Sequence, residues 1–237
     1  MPETPRRTPI FNTLAFRLPD GSSLPLEVTR ALAAGASGRD RGKVQRHIAH
    51  MGTLGVKPPP HVPMLYPLMP TLVTNAADIA VIGNDSTPEI EVVLFRTGGE
   101  DYLTVGSDHT DRRIEAVSAL QGKNSCPKVV GTTAWLVSDV RDHWDALTLR
   151  CRCGDTLLQE GSLGHVMTYD DLMAFINQHD GNQAEGRLVF SGTVPTLARP
   201  PQGDVTIGLE LTDPVLARSL THNYRVHVLH EYFSAGS

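Results

Sequence analysis

The chain has 237 residues, a net charge of −5, 40% apolar and 20% charged residues. That balance excludes a disordered or collagen-like chain and leaves enough apolar material for a sizeable core. The acidic excess provides no basic footprint for nucleic acid, and no apolar run is long enough to span a membrane. Pro19 and Asp20 cut short the apolar stretch near the start, so no signal peptide is evident and a cytoplasmic location is expected. The three cysteines, Cys126, Cys151 and Cys153, are too few and too odd in number for a disulfide scaffold and are expected to be reduced.

Residues 10–16 and 24–28 flank Pro19-Asp20-Gly21, which predicts a hairpin because Pro presets φ and Gly tolerates positive φ. Residues 31–42 are small, interrupted by glycine and poorly periodic, and read as a mobile stretch. Val44, Ile48 and Met51 recur at helical spacing, so residues 43–54 read as a helix that Gly55 ends. Prolines crowd residues 57–70, which are read as irregular, with a boundary near residue 70. Two units follow: residues 1–70, holding the hairpin, a lid helix and a Pro-rich linker, and residues 71–237.

Beyond that boundary, short β-branched runs predict strands over 79–82, 90–95, 102–105, 128–130, 147–149, 188–190 and 205–211. Helices are expected over 111–120, 138–144 and 169–178, with Asp170 as a candidate cap for the last. Strands in succession with occasional helices give an α+β, mainly β, fold class. No nucleotide loop, serine-hydrolase elbow or zinc-protease motif is present.

Pro88-Glu89-Ile90-Glu91-Val92 is the sharpest chemical signal. On a strand Glu89 and Glu91 share one face, about 6.6 Å apart at a rise of roughly 3.3 Å per residue. At an effective dielectric near 20 they repel by about 2–3 kcal/mol, a cost that a divalent cation between them removes. Periodicity alone also fits a solvated edge strand. Asp108 and Thr110 follow a predicted strand and open a predicted helix, either as an N-cap or, for Asp108, as a third carboxylate. Three oxygen ligands with open positions suit Mg²⁺ or Mn²⁺.

Several motifs in one order extend this signal: Glu89-Ile90-Glu91, Asp108-His109-Thr110-Asp111-Arg112, Lys123-Asn124-Ser125-Cys126-Pro127, Gln159-Glu160-Gly161 and Glu185 to Thr193. With Gly203-Asp204-Val205 after them, they make the chain resemble the fumarylacetoacetate hydrolase superfamily, in a branch of bacterial proteins of undefined function. The resemblance implies a mixed β-sandwich roll, usually a homodimer, holding Mg²⁺ or Mn²⁺ on Glu89, Glu91 and Asp108. It implies Lys123, one of four lysines against seventeen arginines, as the cation that offsets negative charge at the site. It also implies a catalytic pair on a short helix at His47 and His50, where the second family position is Glu. Two imidazoles at that spacing lack the carboxylate that orients the base. Thr193 and Gly192 are candidates for binding a substrate carboxylate, because the glycine permits close approach of backbone to ligand.

The implied activity is cleavage of a C–C bond in a small 1,3-dicarbonyl or 2-oxo acid through a metal-stabilised enolate. Decarboxylation or isomerisation of a 2-oxo acid, which needs no attacking water, is the alternative within enzymes. A non-catalytic metal- or ligand-binding dimer is the alternative outside them. Arg112 is expected to pair within its own helix, and Lys128 competes with Lys123 for the cationic role.

Overall fold

The computed structural model describes residues 11–53, 57–181 and 184–230. β1 (Asn12–Arg17) and β2 (Ser23–Val28) form the expected hairpin, with Leu18 N–H donating to the Ser22 carbonyl and Gly21 at φ +84° in the turn. Its inner residues Leu14, Phe16, Leu26 and Val28 are buried.

β3 (Arg30–Gly35) follows directly, then α1 (Arg41–Thr53) and β4 (Met64–Leu68). Residues 31–34, expected to be mobile, are instead a buried strand pairing β4 on one side and β15 (Arg187–Phe190) on the other. Alanine-rich sequence has little strand preference of its own, and the sheet partners override it. The proline-crowded segment likewise holds a strand: Pro67 lies in β4, at the sheet edge where a missing N–H is tolerated. Gly55, expected to end the helix, lies outside the described residues.

β5 (Val73–Thr74), β6 (Asp78–Ile82) and β7 (Ser86–Thr87) lead into the long hairpin of β8 (Ile90–Thr97) and β9 (Glu100–Ser107). β10 (Thr110–Asp111) pairs β7, and α2 (Arg112–Val117), α3 (Ala119–Asn124), β11 (Lys128–Val130) and β12 (Trp135–Leu136) follow. The last part carries β13 (Thr148–Cys153), β14 (Thr156–Ser162), α4 (Tyr169–Asp180), then β15, β16 (Val205–Asp213) and β17 (Arg218–Leu229). Thr168, not Asp170, caps α4 by accepting from Asp171 N–H, and Asp111, not Asp108 or Thr110, caps α2.

Two sheets carry the fold. The larger runs β4-β3-β15-β8-β9-β11-β5, with β12 added to β9; the smaller runs β14-β13-β16-β17-β6. The larger sheet crosses the boundary expected near residue 70, because β3 and β4 belong to it. β8 is buried on both faces: Ile90, Val92 and Leu94 pack in the core that includes Leu149, Cys151, Ile207 and Leu209 of the smaller sheet. Val93 and Phe95 face the β1–β2 hairpin, where the Phe16 and Phe95 rings stack with centroids 4.4 Å apart. Burying each such side chain contributes about 1.5–3 kcal/mol, which fixes the register of β8 and thereby its acidic face.

Candidate metal centre

The site forms where β8 and β9 meet. Their register places Ile90 opposite Ser107 and Glu91 opposite Gly106, and the chain leaving β9 turns back so that Asp108 N–H donates to the Glu89 carbonyl at 3.0 Å. A carboxylate oxygen from each of Glu89, Glu91 and Asp108 then lies within 4.8 Å of the others. Glu91 and Asp108 are buried, and the Glu89 side chain is 12% exposed. A side chain at Gly106 would sit 2.6 Å from Val93 Cγ2, so only glycine fits opposite Glu91.

Two close approaches bring the remaining groups in. α2 and α3 pack so tightly that a Cβ on Gly122 would lie 2.6 Å from the backbone of Glu115, and this carries Lys123 to the carboxylates. Lys123 Nζ donates to Asp108 Oδ2 at 2.5 Å and to Glu89 Oε2 at 3.0 Å. Gly192, at φ +96°, donates its N–H to Glu91 Oε2 at 2.7 Å. Arg112 does more than the expected pairing with Glu115 at 2.7 Å: its Nη2 also reaches Glu89 Oε1 at 3.1 Å. Lys128, fully buried on β11, lies 2.7 Å from Asp108 Oδ1 and donates to the His109 carbonyl.

The electrostatics follow from these contacts. Burial and then the nearby Asp108 push the Glu91 carboxyl well above its usual range. Burial would also raise Glu89, but Arg112 and Lys123 outweigh it and hold the carboxyl below its usual range. For Lys123, burial favours the neutral amine, yet Asp108, Glu89 and Glu91 together outweigh that and raise its pKa, so it stays an ammonium. His109 is lowered to about 3 by burial, Lys128 and Arg112. It is a neutral link between Tyr224 Oη and Ser86 Oγ, each 3.1 Å from a ring nitrogen.

Thr193 and Gly192 both bond to the strand that carries the acidic pair. Thr193 Oγ1 donates to the Ile90 carbonyl at 2.8 Å and accepts from Gln159 Nε2 at 2.8 Å, while the Gly192 amide serves Glu91. Thr193 and Gly192 thereby fix β8 and Glu91 in place. His50 is exposed on α1, and among the described residues no hydrogen bond or ion pair links its side chain to the acidic cluster. His47 lies on the same helix, its side chain outside the described set.

Sequence reasoning missed Tyr66 of β4, whose ring centroid is 5.9 Å from Lys123 Nζ. Gly35 makes room for it, since a Cβ there would lie 2.5 Å from the ring. The tyrosine stands in the proline-rich stretch, where no periodicity marks it. Gln159, by contrast, was visible in its motif, and its Oε1 accepts the Ile90 N–H at 2.9 Å. All three cysteines are free thiols.

The two-sheet architecture is of the fumarylacetoacetate hydrolase-like class. The solved structures bear this out for the fold. A Burkholderia cenocepacia protein bearing the provisional name fumarylpyruvate hydrolase superposes with a TM-score of 0.68 at 16% identity, over 91% of each chain. The 2-hydroxyhepta-2,4-diene-1,7-dioate isomerase of Mycobacterium marinum gives 0.61 at 15%, over 89% of this chain and 82% of its own. The apo form of a 2-keto-3-deoxy-D-arabinonate dehydratase gives 0.62 at 14%, over 85% and 74%. Within that architecture the chain belongs to the family described as protein of unknown function (DUF2848), which matches residues 34–224. No curated protein matches it. Among the described residues, no helix is long and apolar enough to cross a membrane.

Proposed function

We propose that the chain is a divalent-metal-dependent enzyme that cleaves a C–C bond in a small 1,3-dicarbonyl or 2-oxo acid. The observation that carries this reading is the convergence of Glu89, Glu91 and Asp108 around the buried Lys123 ammonium. The donor set fits Mg²⁺ or Mn²⁺: three hard carboxylate oxygens without sulfur. Glu89, Glu91 and Asp108 would hold the ion. When bound, it supplies a Lewis acid that stabilises negative charge developing on the substrate's oxo oxygen.

The chain's own groups divide the remaining work. Lys123, which donates to Glu89 and Asp108, contributes positive charge beside the reacting centre. His109 is tied to Tyr224 and Ser86 and is not available as a base. Following the family resemblance, we assign the base that activates water to the His47–His50 pair on α1. Isomerisation or decarboxylation is the second reading, favoured because position 50 holds His where the family resemblance expects Glu, so the residue there is no carboxylate to orient His47. By family analogy the enzyme acts as a homodimer.

Mass spectrometry of products from oxaloacetate and from acylpyruvates, with wild type and Glu91→Ala, tests both readings. Two fragments from an acylpyruvate support cleavage, and a rearranged or decarboxylated acid supports the second reading. Equal turnover by Glu91→Ala would sink the site assignment.

A further inference from the structure

A second recess lies beside the acidic cluster and is walled by other residues. It has a volume of about 170 Å³, between the turn from β6 to β7, the start of α2 and the segment 199–203 that leads into β16. Among the described residues, Glu89, Glu91, Asp108 and Lys123 do not line it. The Gly203 N–H donates to Asn84 Oδ1 at 3.0 Å, which ties two of its walls together. One wall is apolar, made by Val205, Ile207, Val226 and Val228 of the paired strands β16 and β17. The rest is largely polar and carries Ser86, Arg112 and Arg199.

The charges of this lining do not cancel. Asp85 pairs with Arg113 at 3.5 Å, and Arg112 with Glu89 and Glu115. Arg199 is exposed, and among the described residues it makes no ion pair or hydrogen bond. A guanidinium has five N–H donors. The contacts of Arg112 with Thr87, Glu115 and Glu89 occupy three of them and leave two. Ser86 Oγ is steadied by the buried His109, whose Nε2 lies 3.1 Å away.

Guanidinium N–H groups and a hydroxyl recognise a carboxylate, and an apolar wall takes a short hydrocarbon chain. We propose that this recess is a second binding site, for a small carboxylate with a short apolar chain, coupled to the acidic cluster through Arg112. The ligand's carboxylate lies against Arg112, Arg199 and Ser86, and its chain against the four aliphatic residues. Because the same guanidinium holds Glu89 Oε1 at 3.1 Å, a bound carboxylate draws part of its positive charge away from Glu89. Negative charge added there favours a cation in the cluster, so each ligand raises the other's affinity by the same factor. The recess is independent of the metal reading above; the coupling rests on it.

Calorimetric titration of the metal-free chain with sodium butyrate, at constant ionic strength and with chloride as the control anion, tests the site. Saturable binding is expected, weakened about tenfold or more in Arg199→Gln by loss of a charged donor. Lys123→Met is expected to keep it, and a crystal grown with butyrate places the ligand whichever variants fold. Butyrate that binds no better than chloride, or that Lys123→Met loses and Arg199→Gln keeps, overturns the site. Mn²⁺ is expected to bind about fivefold tighter with saturating butyrate than without, and to lose that gain in Arg199→Gln. A Mn²⁺ affinity that butyrate leaves unmoved, or a gain that persists in Arg199→Gln, overturns the coupling. A chain that binds butyrate but no Mn²⁺ removes the metal reading and the coupling together and leaves the recess a carboxylate site.

Discussion

The Gly192 N–H donates to Glu91 Oε2 at 2.7 Å, joining the turn after β15 to a carboxylate on the neighbouring strand β8. The bond depends on a backbone that only glycine adopts readily, at φ +96°. A Cβ there would lie 2.0 Å from Ser37 Oγ, and Ser37 itself donates to the Ser191 carbonyl at 2.8 Å. Gly192→Ala is therefore expected to cost roughly 1–3 kcal/mol by strain at this backbone. It should also turn Glu91 away from its partner. Thermal melts and Mn²⁺ titration check the two effects together, and a variant with wild-type Tm and affinity would contradict the account.

Lys123 gives a prediction of opposite sign for binding and turnover. Its side chain is 9% exposed, and its ammonium donates to Glu89 Oε2 and Asp108 Oδ2 while supplying positive charge to the site. Lys123→Met is expected to bind Mn²⁺ at least as tightly as wild type, because a competing cation is gone. Turnover of the responsive 2-oxo acid is expected to fall by roughly 100-fold or more, the scale of losing one fixed electrostatic group at a reacting centre. Full turnover in this variant would remove Lys123 from the chemistry.

Much of this was legible beforehand, and the exceptions have physical causes. Strands β8, β9, β11, β15 and β16 stand out because β-branched runs suit a buried sheet whatever their neighbours. β3 is Ala-Leu-Ala-Ala and β4 contains Pro67, so both owe their strand state to pairing that no local window contains. The same contrast governs the site. The shared face of Glu89 and Glu91 follows from the period of a strand, and Asp108 and Lys123 stood in recognisable motifs. The Arg112–Glu89 and Lys128–Asp108 contacts join residues 23 and 20 positions apart through packing, and Thr193 accepts from a glutamine 34 positions away.

Asp213 predicts an acid-dependent loss of stability outside the site. Its side chain is buried, with His143 Nε2 at 3.0 Å, Arg218 Nε at 3.3 Å, and the N–H groups of Val215 and Leu216 donating to it. Burial would raise its pKa, but the Leu216 amide, His143 and Arg218 outweigh it and lower it. A lowered folded-state pKa contributes stability above the unfolded value, near 3.9, and that contribution is lost as pH falls through the folded value. Asp213→Asn is expected to cost about 1–2 kcal/mol at pH 7, since the partly exposed His143 and Arg218 lose a charged acceptor. Denaturant melts should show the gap between variant and wild type closing below about pH 4. A gap independent of pH would assign the loss to packing alone.

His50 separates stability from catalysis most cleanly. It is exposed on α1, and among the described residues its carbonyl, not its ring, takes part in a hydrogen bond, from Thr53 Oγ1 at 2.7 Å. Exchanging an exposed side chain with no partner usually changes stability by less than about 0.5 kcal/mol, so His50→Gln should melt as wild type does. If α1 supplies the base for hydrolysis, loss of one imidazole of the pair lowers turnover by roughly 100-fold, the lower end of general-base contributions. Isomerisation or decarboxylation places no such demand on water, and under that reading the same variant keeps most of its turnover. Steady-state rates of wild type and His50→Gln, paired with identification of the product, thus decide which reaction the carboxylate cluster serves.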